Sequence, residues 1–269
     1  MTTAPVEAPA GAPPGARWVA VPVVLAVVTV LLQIGYPLVS GAPRDQLTVV
    51  TVLAFFAASV SHALVHRGAL WTAAYVLVTT GTGLLAESLG TTTGVPFGQY
   101  DYAGSLGWKL LSVPVVIPLA WAMMAYPCLL VGQRLASTQL GAVAVGAWAL
   151  ASWDLFLDPQ MVDAGHWTWT DVQLSLPGLP GIPVSNYLGW LLVATLMMTA
   201  LQRLPRRPAC RADDRVPYAL FLWTYASSVL AHAAFFGRPA VALVGGVGMG
   251  LVALPFARSL QRSSPQRSG

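Results

Sequence analysis

The chain has 269 residues, of which 56% are hydrophobic and only 9% are charged, and its net charge is +4. Soluble domains carry roughly a quarter charged residues, so the composition excludes a soluble globular domain and predicts an all-α, polytopic membrane helix bundle. The positive excess sits in scattered loop arginines, with no basic helix interleaved with aromatics, so it reads as a topology signal and not as a nucleic-acid footprint.

Residues 1–16, rich in Pro, Ala and Gly, read as a disordered tail. The stretch from Trp18 to Val39 is longer than the apolar core of a signal peptide and lacks a convincing cleavage site, so it is expected to be the first span. Crossing about 30 Å of hydrocarbon takes roughly 17 to 25 apolar residues. Runs of that kind occur at 18–39, 47–66, 69–89, 110–131, 139–157, 185–203, 217–236 and 239–257. These predict about eight transmembrane helices in a single domain over 17–258, with a disordered tail at 259–269.

Basic residues test the topology, because cytoplasmic loops hold the excess of Lys and Arg. With the N-terminus inside, eleven arginines fall in inner segments, and only Arg44, Lys109 and Arg238 in outer ones. Both termini are therefore expected in the cytoplasm of a multi-pass protein of the cell membrane. The loops at 90–108 and 159–184 then emerge together on the outer side. The two cysteines, Cys128 in an apolar run and Cys210 in an Arg-rich loop, do not suggest a disulfide.

Three acids end helices at this outer level: Glu87 after the run TAAYVLVTTGTGLLA, and Asp154 and Asp158 in WDLFLDP. An ionisable side chain at membrane depth is costly enough to be a functional candidate by default. Asp154 and Asp158 are four apart, hence on one helical face, and Pro159 is expected to end the helix near Asp158. Two carboxylates so placed tend to share one proton, which supplies a general acid. Asp101, between Tyr100 and Tyr102, reads as a solvated loop residue.

Other motifs read more plainly. His62 and His66 have a spacing that can bind metal, but Arg67 is adjacent and no acid is near, so an interfacial helix end is expected and no metal site. Four histidines are too few for a membrane di-iron oxygenase. Asp213 and Asp214 stand alone among arginines, unlike an acid-rich diphosphate motif. The glycines of GGVGMG at 245–250 lie in an apolar helix with no strand before them, so they predict close helix packing and not a phosphate loop. Trp and Tyr belong at membrane interfaces, though some at the outer level could face a site and stabilise a cation.

Several of these segments, in this order, resemble the integral-membrane carotenoid biosynthesis proteins that include the bisanhydrobacterioruberin and gamma-carotene hydratases. They are AESLG, TGVPFGQYDY, VPVVIPLAWAMMAY, WDLFLDP, HWTWT and GIPVSNYLGW, together covering roughly residues 70–200. Tyr187 stands where the family pattern suggests Phe. The resemblance implies addition of water across the terminal C1–C2 double bond of an acyclic carotenoid end, by acid catalysis through a tertiary carbocation and without a cofactor.

Glu87, Asp154 and Asp158 would then be catalytic. Tyr100, Trp121, Trp167 and Trp190 would surround the substrate, with Asn186 and His232 orienting water. The implied partners are a lycopene-like or longer acyclic carotenoid, water, the lipid bilayer, and other membrane enzymes of the pathway to dock with. Two alternatives stay open: an end-group cyclase, which starts from the same protonation, and a carrier for a lipophilic isoprenoid.

Overall fold

The computed structural model describes residues 16–205 and 213–262, so most of the tails expected at 1–16 and 259–269, together with Arg206, Arg207, Arg211 and Cys210, lie outside the described residues. Eight α-helices follow in order: α1 (Ala16–Gly35), α2 (Ala42–Arg67), α3 (Ala69–Thr93), α4 (Val116–Leu135), α5 (Gln139–Asp163), α6 (Val184–Gln202), α7 (Arg215–Leu230) and α8 (Pro239–Arg262). Four short strands, β1 (Tyr100–Tyr102), β2 (Lys109–Leu110), β3 (Val113–Pro114) and β4 (Trp167–Trp169), lie in the two long loops.

Among the described residues, seven helices are long and apolar enough to cross a membrane, which makes the chain an all-α, multi-pass membrane protein. The seventh expected span differs. Helix α7 has 16 residues, and at about 1.5 Å per residue that is roughly 24 Å, short of the hydrocarbon thickness. A π-helical turn, Ala231–Phe235, continues it.

Local chemistry sets where the helices stop. Gly68, at φ +88°, turns the chain between α2 and α3, and its N–H caps the carbonyls of Ala63 and Leu64. Thr138 opens α5 by accepting a hydrogen bond from the N–H of Gly141, the usual N-cap arrangement.

Several expected boundaries moved. The fourth helix begins at Val116 and not near 110, because Leu111 and Ser112 adopt left-handed φ values of 50° and 69° in a β2–β3 hairpin, which a right-handed helix cannot include. Helix α5 runs through Pro159 to Asp163 instead of stopping at Asp158. Proline frees carbonyls in the preceding turn, and inside membranes such a break persists where neighbours supply donors. Here His232 Nε2 lies 3.1 Å from the Phe156 carbonyl, and Arg238 donates to the Pro159 carbonyl at 2.5 Å. The far end of α8 likewise continues to Arg262, into the segment expected to be tail.

Helix α4 is the axis of the bundle. Buried positions make up 78% of its apolar window, against 11% for α1. A helix apolar all round belongs in the core, whereas the exposed Val24, Val27 and Leu31 of α1 give it a lipid-facing surface. Helices α2, α3, α5 and α7 pack around α4, and α8 lies against α5.

The α8 glycines make that last contact possible. A Cβ on Gly245 would stand 2.6 Å from the Phe156 ring, and one on Gly248 would stand 2.5 Å from Leu155. Gly245→Val therefore overpacks the α5–α8 seam, and should destabilise the protein by about 1–3 kcal/mol. A lowered unfolding temperature of the purified variant in detergent checks this, and an unchanged one contradicts it.

Candidate active site

The two long loops join at one end of the bundle. Strands β1 and β4 pair antiparallel, with Tyr100 opposite Trp169 and Tyr102 opposite Trp167. Side chains alternate across a strand, so the sequences YDY and WTW put Asp101 and Thr168 outside and four aromatic rings on the inner face. Tyr100 and Trp167 are buried, and Asp101 is exposed, the solvated position expected of it. Each inner ring carries a donor: Tyr100 and Tyr102 point theirs at Glu87, Trp167 at Asp158, and Trp169 at the Phe97 carbonyl.

Glu87 sits two turns before the end of α3 and is buried. Its Oε2 accepts from the Tyr100 hydroxyl at 2.5 Å and the Tyr102 hydroxyl at 2.7 Å, and its Oε1 accepts from Trp121 Nε1 at 2.9 Å. Two glycines of α3 make room for these donors. A Cβ on Gly83 would lie 3.0 Å from the Trp121 ring, and one on Gly90 would lie 2.8 Å from the Tyr100 hydroxyl. Burial, and the Glu87 carboxyl beside them, push both tyrosine hydroxyls well above their usual range, so both stay protonated donors.

Asp154 and Asp158 lie one turn apart on α5, both fully inside. The Asn186 amide of α6 bridges them, donating to Asp154 Oδ2 at 2.8 Å and also to Asp158 Oδ2. Asp158 Oδ1 accepts from Trp167 Nε1 at 3.0 Å. The remaining oxygen, Asp154 Oδ1, makes no hydrogen bond within the protein.

These groups surround a chamber of about 30 Å³, lined by Glu87, Asp158 and Asn186 together with seven aromatic side chains. Trp121 and Trp190 stack in its wall with centroids 3.8 Å apart. The structure thus brings Glu87, Tyr100, Trp121, Asp158, Trp167, Asn186 and Trp190 around one space. Asp154 stands behind, reaching it through Asn186.

His232 is not part of this arrangement. Its ring packs between Phe156 and Phe236, and its hydrogen bond holds the loosened turn of α5. The ring does not line the chamber, and its Nδ1 makes no hydrogen bond within the protein.

His62 was expected at an interfacial helix end, and it lies near the end of α2. It is buried, 3.0 Å from the Tyr126 hydroxyl and 2.8 Å from the Asp213 carbonyl, and stacked on His66. Sequence reasoning passed over Tyr102, Phe97 and Trp169 as site residues. The aromatic–polar–aromatic alternation of YDY and WTW was the signal that could have placed two of them.

No solved structure matches the chain. Over 152 residues it is 35% identical to the bisanhydrobacterioruberin hydratase of Haloarcula japonica, a match covering 51% of this chain and 50% of that protein. The chain therefore spans about half the length of the curated relative it matches. Residues 47–255 match the family described as carotenoid biosynthesis protein, a range that takes in α3 to α7 whole, with every carboxylate of the chamber and both strands above it. On that match the chain belongs to the carotenoid biosynthesis protein family.

Proposed function

We propose that this protein is a carotenoid hydratase of the cell membrane, adding water across the terminal C1–C2 double bond of an acyclic carotenoid end. The observation that carries the reading is one small chamber where carboxyl groups from two helices meet a nearly continuous aromatic wall. Hydrating a trisubstituted alkene needs those parts: an acid for the less substituted carbon, shelter for a tertiary cation, and a held water. The name of the Haloarcula relative, a hydratase, supports the same chemistry.

Asp158 faces the chamber, so it delivers the proton to C2, a proton that the aspartate pair holds while the Asn186 amide donates to both carboxyl groups. The π electrons of the double bond form the new C–H bond and leave a tertiary cation at C1. The faces of Trp121, Trp190 and Tyr100 stabilise it, and the negative charge of Glu87 adds to that. A water held by Glu87 forms the C–O bond and gives up its proton, which replaces the one Asp158 spent. The reaction consumes one water, and no redox partner enters its balance. The side chains that carry it come from the protein alone, while docking with other carotenoid enzymes belongs to substrate supply.

A chamber of about 30 Å³ has room for about two or three waters, since roughly 10–15 Å³ holds one.

Expressed in cells that accumulate lycopene, the chain should yield pigment heavier by one or two waters in the mass spectrum of the extract. An isomer of unchanged mass would instead make it a cyclase, and unaltered pigment co-purifying with the protein a carrier. Asp158→Asn should lower the hydration rate about 10²–10⁴-fold, the usual contribution of general acid catalysis, with Asp154→Asn and Glu87→Gln in the same direction. Retained turnover in all three, at normal protein levels, rules out the assignment. Tyr100→Phe and Tyr102→Phe each remove one hydrogen bond from Glu87, worth about 1.5–3 kcal/mol to a charged group. Initial rates should fall roughly ten- to a hundredfold for each, and a rate unchanged by both would exclude Glu87 from the charge-bearing role.

A further inference from the structure

A second and larger cavity lies directly against the chamber. Its volume is about 150 Å³, and Ile117, Ala120, Leu157 and Trp167 line both spaces. By the measure of roughly 10–15 Å³ for one water, it has space for about ten to fifteen waters, enough for the terminal segment of an isoprenoid chain. Helices α1, α2, α4, α5 and α7 all contribute to its walls, with Trp153, Phe156 and Phe236 among the apolar surfaces.

Two hydroxyls in that wall have no partner. Tyr36 Oη and Thr51 Oγ1 are buried and make no hydrogen bond within the protein, and each residue is only 8% exposed. Three other hydroxyls around the cavity are satisfied by their own helices: Thr48 bonds the Arg44 carbonyl, Thr224 that of Leu220, and Ser227 that of Thr224. A buried hydroxyl left without a partner is costly. A ligand that enters an apolar cavity with one polar atom at the right place removes that cost.

We propose that the larger cavity is a binding site for the alcohol end of a branched isoprenoid, with Tyr36 and Thr51 holding the hydroxyl group. The isoprenoid class rests on the hydration reading above, whereas the preference for a hydroxyl rests on the two side chains alone. In this arrangement the alkene end reaches the chamber past Ala120 and Leu157. The tertiary alcohol formed there withdraws into the larger cavity, where the two hydroxyls receive it, and the chamber is free to take up its next water.

Dihydromyrcenol and dihydromyrcene test the site, because the first is the tertiary alcohol formed by adding water to the trisubstituted double bond of the second. Both are titrated calorimetrically into the full chain in nanodiscs, with protein-free nanodiscs as the blank for partition into lipid. The alcohol should bind about tenfold more tightly than the hydrocarbon, as expected for two modest hydrogen bonds. In Tyr36→Phe with Thr51→Val the advantage should shrink to about twofold or less, with hydrocarbon affinity unchanged. Equal affinities in the unaltered chain overturn the proposal, a comparison that needs no variant to fold, and so does an advantage that survives both substitutions.

The two readings fail separately. A chain that makes no hydrated pigment in cells yet prefers the alcohol loses the hydration reading and keeps the site. One that hydrates its substrate but binds both probes alike loses only the site.

Discussion

A carboxylate buried at membrane depth is unstable unless donors replace the water it has lost. For Glu87 the replacements are two tyrosine hydroxyls and an indole N–H, and much of the architecture around α3 serves to bring them there. Gly83 admits the Trp121 ring and Gly90 admits Tyr100. The left-handed Gly94 ends the helix, and the chain returns so that β1 crosses above Glu87. The aspartate pair repeats the solution on α5, with the Asn186 amide and the Trp167 indole as donors. The β1–β4 pairing then couples the two halves, because one ribbon carries donors for Glu87 on one strand and for Asp158 on the other.

The aromatic lining therefore serves two ends. Tyr100, Tyr102, Trp121 and Trp167 each spend a polar atom on a carboxyl group and present a ring to the chamber. Few other side chains offer both a donor and an apolar face. In the proposed reaction the same residues fix the acid groups and shelter the cation, so the geometry of one cannot be altered without the other.

Much of this was legible from the sequence. Hydropathy gave the helices because in lipid the backbone must satisfy itself within each segment, and charge at membrane depth singled out Glu87, Asp154 and Asp158. What stayed hidden was set by contacts between distant segments. Pro159 read as a helix end, because nothing local shows that His232 and Arg238 arrive from elsewhere in the chain to hold the carbonyls of that turn. The bond from His232 to Phe156 was hidden for the same reason: its partner is a backbone atom, which leaves no mark in sequence. The β1–β4 ribbon escaped notice because its strands are three residues each and more than sixty residues apart, although their alternation was visible.

The ribbon closes the chamber on the side where the loops emerge. In the proposed reaction a long polyene then has no reason to cross into water, and its way in and out would run between helices, within the lipid. The quantity that would saturate such a reaction is the pigment's mole fraction in the bilayer, not its concentration in the surrounding solution. Diluting the membrane with added lipid should slow turnover even when the total amounts of enzyme and pigment stay the same.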